Sequence, residues 1–163
     1  MPRRILMVCL GNICRSPLAH GVMSDLLPED IVDSAGTSSY QIGSPPDPRS
    51  VSIAKQHNID ITNQAARLFT ASHFADFDHI YVMDRQNYRD IISLAQTQND
   101  INKVELLCEA AGLGKLAVPD PYYGGVDGFK DVFDLVKNAC LRLKTNGIKS
   151  YEFDSDRNTL CDT

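Results

Sequence analysis

No apolar run in this chain approaches the roughly 18 residues that a membrane span requires, so no membrane association is expected. Blocks of lysine or arginine are missing too, and the net charge is −5. Such a chain has no positive field to draw in nucleic acid, so any anion must be held by a local device. Cysteine is sparse and unpatterned. The five, at 9, 14, 108, 140 and 161, form no Cys-x-x-Cys pair and no His/Cys zinc spacing. A disulfide framework is therefore not expected, and reduced thiols in a cytoplasmic protein are. The start, MPRRILMVCL, has two arginines and a short apolar run but no small-residue cleavage site, so it reads as a core strand and not a signal peptide. Repeats and low-complexity linkers are also lacking. The 163 residues suit one compact domain with a hydrophobic core.

Short apolar segments alternate with amphipathic ones. Strands are expected at residues 4–8, 31–34, 79–83 and 104–107. Helices are expected from about Pro17 to Leu27, Pro48 to His57, Arg85 to Ala95 and Gly128 to Lys144, the last stopped by Gly147. Thr70 is a candidate cap for a short turn near residues 72–75, and residues 36–47 form a turn-rich loop. This alternation predicts an α/β fold, a parallel sheet with helices on both faces. Ligands of such sheets bind beyond the carboxyl ends of the strands. Cys9, Asp84 and Asp120 would all stand at that edge.

Cys9-Leu10-Gly11-Asn12-Ile13-Cys14-Arg15-Ser16 joins the first strand to the first helix. A loop opening onto a helix N-terminus aims unpaired backbone N–H groups at one point, where the helix dipole adds positive potential. Gly11 and Asn12 tolerate the backbone angles such a curl needs. Arg15 can close over two phosphoryl oxygens as a fork. The same field favours a thiolate, so Cys9 is the expected nucleophile, with no histidine base required. Ser16 is placed to donate a hydrogen bond to its sulfur. Asp120, before Pro121, is the expected general acid, a role that typically contributes about 10²- to 10⁴-fold.

CLGNICRSP resembles the signature loop of the low-molecular-weight protein-tyrosine phosphatases, in the bacterial-type form suggested by Gly124-Gly125. Asp120-Pro121-Tyr122-Tyr123-Gly124-Gly125 resembles that family's acid loop, and DSAGTSSYQIGSPPDPRS and Met83-Asp84 extend the likeness across most of residues 4–145. The resemblance implies a three-layer α/β/α fold with a central four-stranded parallel sheet and the phosphate loop between strand 1 and helix 1. It also implies a phosphatase domain over residues 1–147, a loosely ordered tail over 148–163, no metal or cofactor, and a phosphocysteine intermediate. Tyr40, Tyr122 and Tyr123 would wall the cleft. Asn12, Ser16, Ser34 and Asn63 would hold the loop in shape, Asn63 standing where family members often have a histidine.

Expected partners are tyrosine-phosphorylated proteins, with phosphate as product and inhibitor, acting on a monomer. Cys14, on the same loop as Cys9, is the expected redox partner of its thiolate. Three other readings stand beside this one. An arsenate reductase of this fold needs further cysteines after the third strand, and residues 82–100 have none. A protein-arginine phosphatase would carry threonine at Ile13. A non-catalytic phosphate binder would have no need of both Cys9 and Asp120. His20, His57, His73 and His79 read as surface or packing residues, and Cys108 and Cys140 as buried thiols.

Overall fold

The buried strands are short because each is apolar over only a few residues. In the computed structural model, which describes residues 2–149, β1 (Arg4–Cys9), β2 (Ile31–Gly36), β3 (His79–Val82) and β4 (Val104–Leu106) form one parallel sheet in the order β2-β1-β3-β4. β1 sits in the middle and is buried on both faces. Its side chains alternate as the pleat demands. Ile5, Met7 and Cys9 enter one core cluster with Leu18, Val22, Phe133 and Val136, while Leu6 and Val8 enter another with Phe69, Phe74 and Ile91.

The helices are α1 (Arg15–Leu26), α2 (Pro48–Gln56), α3 (His73–Asp76), α4 (Arg85–Ile92), α5 (Gln98–Asn102), α6 (Leu107–Ala110) and α7 (Val126–Asn146). α7 packs on α1 and α2 over one face of the sheet, and α4 covers the other. The result is the expected three-layer α/β/α architecture. No helix of the described residues is long and apolar enough to cross a membrane.

Boundaries differ from expectation where local chemistry overrides periodicity. α1 begins two residues early, at Arg15, so that the phosphate loop runs straight into its first turn. α4 ends at Ile92, where Ser93 Oγ donates to Asp90 O at 2.6 Å and occupies a terminal carbonyl. Ala95 still packs against that core from the turn beyond. Thr70 does not cap α3; its N–H donates to His73 Nδ1 at 2.8 Å and its hydroxyl pairs with Ser72. α5 was not foreseen, although Thr97 and Asp100 form a reciprocal capping box around it. Gly147 stops α7 at φ 87°. Of the expected tail, residues 150–163, including Cys161, lie outside the described residues.

Candidate active site

β1 delivers Cys9 to the carboxyl edge of the sheet, and α1 starts six residues later. No side chain caps the first turn of α1, and no acidic residue stands in it. Its orphan N–H groups are therefore left to face the loop, the local arrangement that suits an anion. Asn12 takes up the left-handed conformation, at φ 56°, that lets the loop curl. Gly11 was expected to supply this freedom, but its φ is not positive and a Cβ there would meet only ordinary contacts at 3.6 Å. The glycine that the loop does require is Gly36, beside Cys9 in the sheet. A Cβ there would lie 2.8 Å from Leu10 O and 3.1 Å from Asn12 Cβ.

The interior of the loop is a chain of hydrogen bonds. Asn12 Nδ2 donates to Ser16 Oγ at 2.7 Å and to Ser34 Oγ at 2.9 Å, while its Oδ1 accepts from Arg67 N at 3.0 Å. The bond from Arg67 fixes which way the amide points. Ser16 Oγ therefore accepts from Asn12 and keeps its own proton for Cys9 Sγ, 3.1 Å away. Asn63 is exposed and stays outside this network. His20 stands there instead, with Nδ1 3.3 Å from Ser34 Oγ. Gln64, next to Asn63, is the residue that turns inward, donating from Nε2 to Pro17 O at 3.1 Å and lining the same hollow as His20. Burial pushes His20 below an ordinary histidine, with Arg67 adding to that and Asp33 and Gln64 opposing it.

Arg15 is buried, its side chain 3% exposed. Nη1 donates to Asp84 Oδ2 at 2.7 Å and to Val118 O at 3.0 Å, and Nη2 lies 3.6 Å from Asp120 Oδ2. Burial opposes the guanidinium's charge, but Cys9, Asp84 and Asp120 outweigh it and hold Arg15 above its ordinary value. Asp120 Oδ1 also accepts from Tyr122 N at 3.0 Å, a local turn that fixes the carboxylate.

Cys9, Leu10, Gly11, Ile13, Cys14 and Arg15 share one open cleft of about 270 Å³ with Tyr40, Asp120, Tyr122 and Tyr123. The cleft brings together the expected nucleophile, guanidinium, acid and aromatic walls. Asn12, Ser16 and Ser34 lie behind it. Tyr40 and Tyr123 are 94% and 96% exposed, so they form a raised rim, and Tyr122 stacks edge-on to Tyr123 with ring centroids 5.0 Å apart. Cys14, at the head of α1, is buried; that burial, with Asp47, Cys9 and Asp120 nearby, pushes its thiol up to about 12. Arg49, Arg67 and His20 were not singled out as site residues from the sequence, and Asp84 was placed at the ligand edge but given no role there. A signal for His20 was present: Ser16 and His20 are four apart on α1 and so share a face.

Residues 4–152 match the family model described as "Low molecular weight phosphotyrosine protein phosphatase". A protein of that name from Schizosaccharomyces pombe is 41% identical over 139 residues, covering 80% of this chain and 87% of its own. Among solved structures, a protein tyrosine phosphatase from Entamoeba histolytica superposes with a TM-score of 0.81 at 35% identity, covering 88% of this chain and 96% of that one. Vibrio vulnificus Wzb in complex with benzylphosphonate gives a TM-score of 0.82 at 29% identity, covering 88% and 98%.

Proposed function

This chain belongs to the low molecular weight phosphotyrosine protein phosphatase family, and we propose that it hydrolyses phosphotyrosine in proteins through a phosphocysteine on Cys9, with Asp120 as general acid and then general base. The backbone N–H groups of residues 10–16 and the free edge of the Arg15 fork hold the non-bridging phosphoryl oxygens. Cys9 Sγ attacks phosphorus; the S–P bond forms as the bond to the tyrosyl oxygen breaks. Asp120 gives that oxygen a proton, which spares the expulsion of a bare phenolate. In the second step the Asp120 carboxylate takes a proton from water, whose oxygen attacks phosphorus, and Cys9 departs as a thiolate. The Ser16 hydroxyl hydrogen-bonds that departing thiolate, keeping its own proton, in the direction that Asn12 leaves open. Inorganic phosphate is released and competes for the same cradle.

The observation that carries this reading is the single cleft holding Cys9, Arg15 and Asp120 beneath Tyr40, Tyr122 and Tyr123. An aryl group between aromatic walls fits it, and the Vibrio relative was solved with an aromatic phosphonate. Cys9, Cys14, Cys108 and Cys140 are free thiols, which supports a reducing, cytoplasmic setting. We read the enzyme as a monomer, and Cys14 as the partner of Cys9 under oxidation. The test is Cys9→Ser. It should abolish turnover of phosphotyrosine while vanadate still binds, because the cradle is backbone and Arg15. Substantial residual hydrolysis would move the nucleophile elsewhere, and activity lost to EDTA and restored by a divalent ion would overturn the metal-free route.

A further inference from the structure

The first turn of α2 bonds to both loops of the cleft at once. Asp47 N donates to Ile13 O at 2.8 Å and Ser50 Oγ donates to Cys14 O at 3.2 Å, both carbonyls of the phosphate loop. Arg49, between them, reaches the other way. Its Nη2 donates to Tyr122 O at 3.0 Å and its Nη1 to Gly124 O at 3.2 Å. Its Nε and Nη2 also donate to the two carboxylate oxygens of Asp47, each at 3.0 Å. The guanidinium carbon lies 4.4 Å from the ring centre of Phe129 and 5.7 Å from that of Tyr122.

A continuous chain results. Ile13 O accepts from Asp47, Asp47 holds Arg49, Arg49 holds the carbonyl of Tyr122, and the N–H of Tyr122 donates to Asp120. It runs from the loop beside Cys9 to the carboxyl of Asp120. The acid loop is anchored on its N-terminal side at buried Val118, whose N–H donates to Met83 O at 2.8 Å and whose carbonyl accepts from Arg15 at 3.0 Å; beyond that point it has few ties. Beyond its own segment and α7, residues 119–125 have two kinds of polar tie among the described residues. One is the pair of hydrogen bonds from Arg49, and the other is the 3.6 Å ion pair of Asp120 with Arg15. A planar fork is needed to meet one carboxylate and two carbonyls in different directions, which an ammonium on a flexible stem does not reproduce.

We propose that Arg49 is the positioning residue that sets the Asp120 carboxyl against Cys9, acting through the peptide of Tyr122 and not by touching substrate. The inference rests on the reading of Asp120 as general acid. Displacing a reacting group by about 1 Å costs up to about 10²-fold, and a general acid is worth about 10²- to 10⁴-fold. Loss of Arg49 should therefore lower kcat for phosphotyrosine by about 10- to 100-fold. For nitrophenyl phosphate, whose leaving group departs with little help, the loss should be no more than about threefold. KM should change little, because the bonds from α2 to the phosphate loop do not involve the Arg49 side chain.

The experiment measures kcat and KM on both substrates for the parent, Arg49→Ala, Arg49→Lys, Asp120→Ala and the Arg49→Ala/Asp120→Ala pair. Arg49→Lys keeps the charge and serves if the alanine variant fails to fold. Asp120→Ala alone should lose more on phosphotyrosine than on nitrophenyl phosphate. Arg49→Ala and Arg49→Lys should show the same pattern more weakly, and Arg49→Ala should cost nothing further once Asp120 is gone. If Asp120→Ala discriminates but the Arg49 variants lose equally on both substrates, the positioning role is wrong. A full Arg49 penalty persisting in the Asp120→Ala background overturns it too. If Asp120→Ala itself fails to discriminate, the acid reading falls and this inference with it.

Discussion

Arg15 Nη1 donates to Asp84 Oδ2 at 2.7 Å, which ties the guanidinium of the phosphate loop to the turn between β3 and α4. The other oxygen of Asp84 accepts from Asn87 N at 2.8 Å and caps α4. One carboxylate thus starts a helix and aims the cation of the site.

Asp84→Ala should therefore damage stability and catalysis together. It leaves a buried charge short of a partner, a loss of about 1–3 kcal/mol, and frees Arg15 to turn away from the phosphoryl group. Urea unfolding should report the first effect and a fall in kcat/KM of about tenfold or more the second. Asp84→Asn, which keeps an acceptor, should recover part of both. Parent-like kcat/KM in Asp84→Ala would mean that the loop alone orients Arg15.

Asn12 does two separable jobs, and two substitutions divide them. Alanine at φ 56° carries about 1–2 kcal/mol of backbone strain that glycine does not. Both remove the hydrogen bonds to Ser16, to Ser34 and from Arg67. Asn12→Ala should thus unfold more readily than Asn12→Gly. Both should turn over more slowly, about tenfold, as Ser16 loses the bond that directs its proton to Cys9. Wild-type turnover in Asn12→Gly would show that the curl matters and the amide does not.

What was legible in the sequence was local. A five-residue apolar strand, a loop closing on Arg15 and a helix with its stripe at Leu18 and Val22 follow from spacing alone, and the structure has all three. The partners of the loop were not legible, because they come from far along the chain. Asp84 reaches Arg15 across 69 residues and Arg49 reaches Tyr122 across 73, and neither pairing leaves a periodic trace. Asn63 was assigned by analogy of position. A one-residue difference in a loop decides which side chain faces inward, and there Gln64 does. His20 satisfies Ser34 from a different element altogether.

Three histidines make the fold acid-sensitive above the carboxylate range. Burial is the first cause that holds His20, His73 and His79 below an ordinary histidine. The unfolded chain protonates near about 6.5, so each contributes stability that is complete above that pH and lost as pH falls through its lowered folded value. Asp30, Asp47 and Asp60 act only lower down. Arg3 outweighs burial at Asp30, and Arg49 and Thr62 hold Asp47 and Asp60 below 3.8. Tm should fall between pH 7 and pH 5, and less steeply in His20→Gln. A flat or rising Tm over that interval would contradict the sign.

The two loop thiols should differ in what peroxide does to them. Cys9, attacking hydrogen peroxide as a thiolate, should gain one oxygen as the sulfenic acid and release hydroxide. Cys14, pushed up to about 12 chiefly by burial, stays a thiol and is not the first target. It should then act as the resolving group: its sulfur would attack the sulfenic sulfur, a disulfide would form, and water would leave with the Cys14 proton. Peroxide should inactivate the enzyme, a dithiol reductant should restore it, and peptide mapping should find a Cys9–Cys14 bond. Since Cys14 must lose its proton, the disulfide should appear faster as pH rises from 6 to 9. In Cys14→Ser initial turnover should largely persist, but rescue after peroxide should drop sharply as Cys9 oxidises irreversibly onward. Equal rescue in the two proteins, with no such bond detected, would leave Cys14 as a packed loop residue and nothing more.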